Sequence, residues 1–396
     1  MMVGTYHNII NTVLQNRFIT KAGAFPNMLI MLLFALLMGW VIQRLTARTS
    51  LVTIVMSVLA ANAFITLLFV FGNLWLDQLG INLSLLVPSF AIAAVKFVNE
   101  ESQKRFIKMA FSHYLSPKVI DSIIKNPEAI KLGGESRRIT TFFSDVAKFS
   151  TISESLSPTE LVSLLNEYLS EMTDIILGYD GTVDKFEGDA IMAFFGAPQV
   201  FPDHAARACF AALDMQRKLS EMRALWREQG RHELFVRMGM NTGEAVVGNM
   251  GSRTRMDYTV MGDSVNLASR LEGANKFYAT GIMISEFTRA DAGDAIEVRQ
   301  LDRIRVVGKE EPIVVYELLA RKGELDSDTR DMLSKYDAGL EHFKEREWEK
   351  ARSLFRAGLK IIPGDGPCAT YVERCTEFMK SPPSRNWDGV YRMKTK

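Results

Sequence analysis

What most constrains this chain is a succession of long uncharged stretches near its start. No charged residue falls between Lys21 and Arg44, where the core reads MLIMLLFALLMGWVI, and Ser50–Leu76 and Leu79–Val95 are two further uncharged runs. A helix rises about 1.5 Å per residue, so about 20 apolar residues cross a hydrocarbon core. Inside lipid the backbone must satisfy its own hydrogen bonds, which makes helices the expected form of such runs. Three transmembrane helices are therefore expected within 26–98, the third being weakest because Asn82 and Pro88 interrupt it. Buried helices of a soluble protein are the competing reading, but three such runs in succession are rare in globular cores.

The connections set the orientation. QRLTARTS carries Arg44 and Arg48, DQLGIN carries only Asp77, and Lys96, Lys104 and Arg105 follow the third run. The positive-inside rule puts the arginine loop and everything after Val95 in the cytoplasm. A multi-pass protein of the inner (plasma) membrane, in contact with membrane lipid, is expected. Residues 1–25 then lie outside, and are expected to be the remnant of a longer extracellular or periplasmic sensor. The charge is balanced, with 47 Lys plus Arg against 46 Asp plus Glu, which argues against a nucleic-acid partner. Cys209, Cys368 and Cys375 show neither zinc-site spacing nor a disulfide framework, and are read as reduced cytosolic thiols. The five histidines show no metal spacing.

Residues 99–134 read as a linker of amphipathic helices, punctuated by Pro117 and ended by Gly133-Gly134. From there to about residue 320 helices and strands alternate, which predicts an α+β domain over 135–320. ITTFFSD (139–145) is a strand ending in a carboxylate, and Ser157-Pro158-Thr159-Glu160 is a capping box that opens a helix. TVDKFEGDAIMAFFG reads as a hairpin turning at Glu187-Gly188, and FVRMGMNTGEAVVGNMG (235–251) as a strand and turn. YTVMGDSVNLASRLE (258–272) runs from a short strand through Gly262 into a helix.

Two carboxylates, Asp145 and Asp189, stand at strand ends beside bends. Carboxylates on neighbouring strands can converge on hard divalent cations, which prefer oxygen ligands and keep positions open for phosphate. Aspartates at strand ends are also common in solvated turns, and spacing alone favours that plainer reading. Asn266 and Arg270 are four residues apart and share one helical face.

FFSDVAKFSTISE, DKFEGDAIMAFFG, NTGEAVVGNMG and YTVMGDSVNLASRLE together resemble the class III nucleotidyl cyclases, in order over about 137–320. The resemblance implies a ferredoxin-like α+β catalytic domain, active as a head-to-tail homodimer with sites shared across the interface. One subunit would supply Asp145, Asp189 and the Val146 carbonyl to two divalent cations, Mg2+ or Mn2+. The other would supply Lys185 and Thr259 to the purine, Asn266 to the ribose, and Arg270 to the triphosphate. Lys185 is a donor and suits the adenine N1 acceptor, whereas the guanine edge presents donors. ATP is therefore the expected substrate and 3′,5′-cyclic AMP the product. A guanylyl cyclase and a non-catalytic nucleotide- or partner-binding module are the alternatives.

Two positions depart from the family pattern. Lys148 stands where a glycine is usual, and Val307-Gly308-Lys309 replaces Lys-Gly-Lys, leaving Lys309 as the cation for the terminal phosphates. Residues 326–396 form a tail whose 330–362 segment resembles one tetratricopeptide-type helical hairpin. A single such repeat cannot bury its own face, so packing on its twin, the linker or the catalytic domain is expected, with SPPSRNWDGVYRMKTK as an extended strap. The tail and the three spans resemble bacterial receptor cyclases that carry an extracellular CHASE-type sensor.

Overall fold

A computed structural model describes residues 12–14, 18–111, 133–252, 256–305, 311–384 and 387–392. The chain divides into two units, Met1–Ala110 and Phe111–Lys396.

The first unit is built on α1 (Ala24–Arg44), α2 (Ala47–Gly72) and α3 (Gln78–Phe111), with β1 (Thr20–Lys21) paired in parallel to β2 (Leu74–Trp75). All three helices are long and apolar enough to cross a membrane. Met38, Ile42, Ile54, Ile65, Ile81 and Leu85 pack inward, while Leu29, Leu33, Leu36, Leu59 and Leu67 face out. An apolar exterior of this kind is what lipid, not water, would cover. Pro88 lies inside α3 without ending it. Asn82 does not break the span either. It exchanges hydrogen bonds with Asn62 of α2, at 3.0 and 3.2 Å, the polar pairing that holds helices together where no hydrophobic force separates helix from lipid. Residues 99–111 of the linker continue α3 as helix, and residues 112–132 lie outside the described residues.

The first described element of the second unit is β3 (Gly133–Val146), which Gly133-Gly134 open; the helix expected before them lies outside the described residues. There follow α4 (Phe149–Ser155), α5 (Pro158–Gly178), β4 (Thr182–Glu187), β5 (Ala190–Phe195), α6 (His204–Glu228), β6 (Val236–Gly251), β7 (Met256–Met261), α7 (Asp263–Tyr278) and β8 (Ile282–Ser285). Then come α8 (Glu286–Ala292), β9 (Ile296–Arg305), β10 (Ile313–Arg321), α9 (Ser327–Lys344), α10 (Trp348–Ile361), α11 (Gly366–Lys380) and β11 (Tyr391–Arg392). The sheet order is β11-β9-β10-β8-β6-β3-β5-β4, with β7 on β6. β3 is antiparallel to β5 and β6, while β6 runs parallel to β8, so the sheet is mixed. This is the expected α+β architecture, preceded by three apolar helices and followed by a helical tail.

Both faces of the central strands are covered. Phe142 packs with Tyr168, Met172 and Ile176 of α5 and with α6, whereas Ile139 packs with Val260 and Val265 on the other side. α5 starts at the predicted capping box, Ser157 accepting from the Glu160 N–H while Glu160 reaches back.

Residues 235–251 are not a strand and turn. β6 is one strand of 16 residues, paired with β3 from Val146↔Val236 to Gly133↔Asn249. Its glycines mark close approach and not bends. A Cβ on Gly239 would sit 2.1 Å from the Glu272 N and 2.4 Å from the Ala268 O of α7.

The tail is also more than a hairpin. A third helix, α11, completes the bundle, and Tyr336, Phe343, Phe355, Tyr371 and Cys375 form one core. The tail rests on β9 of its own unit, where Tyr336 and Tyr371 both donate to the Leu301 carbonyl. The strap ends in β11, paired in parallel with β9.

Candidate active site

Asp145 is the penultimate residue of β3. Asp189 lies in the turn that closes the β4–β5 hairpin, where Gly188 takes a φ of +69°. Because Ser144 pairs with Ile191, the two carboxylates come to the same end of adjacent strands. The Val146 N–H donates to Asp189 Oδ2 at 3.0 Å and fixes it. Burial pushes the Asp189 pKa upward, against hydrogen bonds that lower it, and the neighbouring Asp145 adds to the rise.

A protein cation answers this charge. Arg237, opposite Asp145 in the β3–β6 register, donates Nη2 to Asp145 Oδ2 at 2.6 Å and Nε to Glu272 Oε1 of α7 at 3.0 Å. Burial pushes Glu272 up to about 7 despite Arg237, with Asp145 and Asp189 contributing. The donor set fits a hard divalent cation: two adjacent carboxylates at a strand end, one raised by burial and by its neighbour, with positive charge already drawn to them. Among the described residues, the grouping of three metal-capable side chains within mutual reach is elsewhere: His342, Glu345 and Glu347, at the turn between α9 and α10. Histidine spacing did not reveal it, and its His342–Glu347 contact is accounted for as an ion pair.

Lys185 and Thr259 are brought together by a residue the sequence reading passed over. Asp184 is the unpaired residue of a bulge in β4, since Val183 pairs with Ala193 and Lys185 with Met192. Strict alternation would send Asp184 and Lys185 to opposite faces, whereas a bulge re-aims side chains. The Asp184 side chain is 1% exposed, and Lys185 Nζ lies 3.5 Å from its Oδ1. Thr259 Oγ1 donates to Asp184 Oδ2 at 2.5 Å, and the Val260 N–H reaches the same oxygen at 3.4 Å. Burial raises the Asp184 pKa, opposed by Thr259 and Lys185. With its hydrogen committed to Asp184, the Thr259 hydroxyl turns only lone pairs outward.

Asn266 and Arg270 lie on α7, which β6 seats at three points. Gly239 admits its backbone, Asn241 Nδ2 donates to the Ser264 carbonyl at 2.9 Å, and Asn275 Nδ2 donates to the Met238 carbonyl at 2.9 Å. Asn266 is exposed, and the buried Arg270 Nη1 has no hydrogen-bond partner among the described residues. Within one chain, then, Asp145, Val146 and Asp189 form one group and Lys185 and Thr259 another. Among the described residues, no hydrogen bond or ion pair joins Asn266 or Arg270 to either. Val307 and Lys309 lie outside the described residues. Lys148 takes a φ of +59°, the left-handed region that accounts for a usual glycine there.

The sequence reading missed Asp184, Arg237 and Glu272. Arg237 carried a signal, being the lone charge in FVRMGMNTG. Asp184 carried none that period-2 reasoning would find.

Residues 134–320 match the family model described as the adenylate and guanylate cyclase catalytic domain. An adenylate cyclase 1 of Rhizobium meliloti is 37% identical over 198 residues, which cover 49% of this chain and 30% of that protein. An adenylate cyclase of Anabaena cylindrica is 34% identical over 226 residues, 56% of this chain and 43% of that one. The chain thus spans less than half the length of these curated relatives. The crystal structure of the adenylyl cyclase CyaB from P. aeruginosa aligns at 42% identity over 49% of this chain and 100% of its own, with a TM-score of 0.46. The guanylyl cyclase Cya2 aligns at 38% identity over 49% of this chain and 98% of its own, with a TM-score of 0.45.

Proposed function

Since residues 134–320 form a class III adenylate and guanylate cyclase catalytic domain, we propose that this chain is a membrane-anchored adenylyl cyclase that converts ATP to 3′,5′-cyclic AMP and pyrophosphate at sites shared between two copies. The observation that carries the choice of purine is the Asp184 bridge. It leaves one donor, Lys185 Nζ, beside one acceptor, Thr259 Oγ1. Adenine presents the complement, an N1 acceptor beside a 6-amino donor. Guanine presents an N1–H donor and a 6-oxo acceptor, which would meet a donor and a lone pair respectively. A site built to pair with polar groups strongly rejects a partner that leaves them unpaired.

Asn266 of the second copy orients the ribose, and Arg270 holds the triphosphate through its planar fork, which stays protonated throughout. The ribose 3′-oxygen attacks the α-phosphorus in line, and pyrophosphate departs. Positioning and charge neutralisation account for most of such catalysis. Two divalent cations, Mg2+ or Mn2+, held by Asp145, Asp189 and the Val146 carbonyl, would supply Lewis-acid charge to the attacking and departing oxygens. Support for sharing the site between copies is that Asn266 is exposed and the buried Arg270 Nη1 has no hydrogen-bond partner among the described residues, although α7 is firmly seated. A closed homodimer of this kind has two equivalent sites.

The three apolar helices support anchoring in the plasma membrane with the catalytic domain cytoplasmic. α3 is read as the route by which a signal leaves the membrane.

The test is product formation by purified full-length protein with Mn2+ or Mg2+, offered ATP and GTP separately. Cyclic AMP from ATP is expected, abolished by Asp189→Ala and reduced by Lys185→Glu. Cyclic GMP from GTP in excess of cyclic AMP from ATP, or no product from a confirmed dimer, would overturn the reading.

A further inference from the structure

Beyond the catalytic domain, the tail touches the helix that carries Asn266 and Arg270. Gly366, at the start of α11, lies so close to the end of α7 that a Cβ there would be 2.5 Å from the Tyr278 O and 2.7 Å from the Ala279 Cβ. Thr370 Oγ1 donates to the Phe277 carbonyl at 3.4 Å. Arg374 donates Nη1 to Asp302 Oδ2 at 2.6 Å, and Tyr278 of α7 donates its hydroxyl to the same oxygen at 2.7 Å. The Arg374 guanidinium also lies 5.0 Å from the Tyr278 ring and 4.2 Å from the Tyr391 ring of the strap. Tyr278 is 1% exposed and Asp302 7%, so little water competes for these bonds.

We infer that the tail is a positioning element of the active site, and that Arg374 is its positioning residue: through Asp302 and Tyr278 it fixes the last turn of α7 and so sets where Asn266 and Arg270 point. β6 seats the first and middle turns of α7 through Asn241 and Gly239, and the start of its last turn through Asn275. The tail supplies a further anchor, at the C-terminal turn. A helix moves as a rigid rod, so tilting its last turn moves Arg270, eight residues away, and a misplacement of about 1 Å costs on the order of 10²-fold in rate. This inference rests on the shared-site reading above, because it acts on only one of the two half-sites in each chain.

That asymmetry makes it testable with full-length mixed dimers. A chain carrying Asp189→Ala is paired with a chain carrying Arg270→Ala, so that one complete site remains. It joins the metal group of the Arg270→Ala chain to the α7 of the Asp189→Ala chain. Arg374→Met is then added to one chain or the other. In the Asp189→Ala chain it is expected to lower kcat about tenfold or more, with KM for ATP changed less than about twofold. In the Arg270→Ala chain it is expected to leave the mixed activity within about twofold, since that α7 serves the dead site. Both arrangements contain the same substitutions, so a general loss of folding lowers both alike. Equal loss in the two arrangements, or loss in neither, overturns the positioning role. Mixed dimers already inactive before Arg374 is changed, although each copy folds and pairs, overturn the shared site itself and take this inference with it.

Discussion

Two places in the second unit use the same trio, one arginine between two carboxylates, to different ends. At the junction of sheet and tail, Arg299 binds Glu317 at 2.6 Å and Asp365 at 2.7 Å, with side chains only 3%, 14% and 6% exposed. At the strand end, Arg237 binds Asp145 and Glu272 with side chains 22%, 35% and 15% exposed. The buried trio is closed by its surroundings. Asp365 also caps α11 by accepting from the Cys368 N–H. Its pKa, pushed up by burial, still ends below the ordinary value because Arg299 and Cys368 hold it charged. Burial raises a glutamate in both trios, Glu317 against Arg299 and Glu272, up to about 7, against Arg237, so what separates them is exposure and the second hold on Asp365. The same residue types make a fastening where water is excluded and Asp365 is held on both oxygens, and a more open charge cluster where one edge is exposed.

The comparison breaks most visibly under Arg299→Met. Removing one member of a buried pair costs on the order of 3–5 kcal/mol, so the catalytic unit should unfold at a markedly lower temperature. Arg237→Met should lower the same transition by about 1 kcal/mol, while removing most cyclase activity. Similar unfolding shifts from both would erase the distinction.

Next in size is a pH effect at Glu272. Its folded pKa of about 7 stands above the ordinary 4.5, so between these values the folded chain holds a proton that the unfolded chain has released. The stability this brings is full below the ordinary value and is lost as pH rises through 7. Glu272→Gln cannot ionise and escapes that loss. Between about pH 4 and pH 8 its stability relative to the parent should improve by on the order of 2–3 kcal/mol, followed by denaturant unfolding in chelator. A gap that stays constant with pH sinks the assignment.

Smaller again is Asp184→Asn. An amide can donate to Thr259 and free its hydrogen, so the preference for ATP over GTP should fall about tenfold, or about 1.4 kcal/mol. Unchanged selectivity would show that Asp184 only fills the bulge. The least effect is expected at Arg138, whose forked pair with Asp291 is partly exposed. Arg138→Ala should cost at most about 1 kcal/mol and leave turnover unchanged.

What the sequence made legible follows from how local each signal is. The three spans, the capping box at Ser157 and the Glu187-Gly188 turn are set by neighbours in sequence, and each is found where patterning put it. The glycine-rich segment 235–251 read as a strand and turn because a glycine alone does not say whether the backbone bends or something comes close to it. The partner that explains Gly239 is Glu272, 33 positions away. α11 was invisible as part of the tail because its packing face is completed by Tyr336, Phe343 and Phe355 from two other helices. At the site, Asp145, Asp189, Lys185, Thr259, Asn266 and Arg270 came from motif resemblance. The residues that tie them together, Asp184, Arg237 and Glu272, act across a bulge or between elements, where linear spacing carries no trace.

The bare Cα of Gly239 against the backbone of α7 fixes more than a packing distance. Two main chains already in contact leave no room for inheritance to tinker, for any side chain at that position would have to displace the helix bodily. The height of α7 above the sheet is therefore a constant that descendants of this chain receive unchanged. Variation is left with two freedoms, a turn of the helix about its own axis and a slide along it. Rate and selectivity among descendants should drift through those, at positions such as Asn275 and Tyr278 that face its seat, and not at the strand beneath.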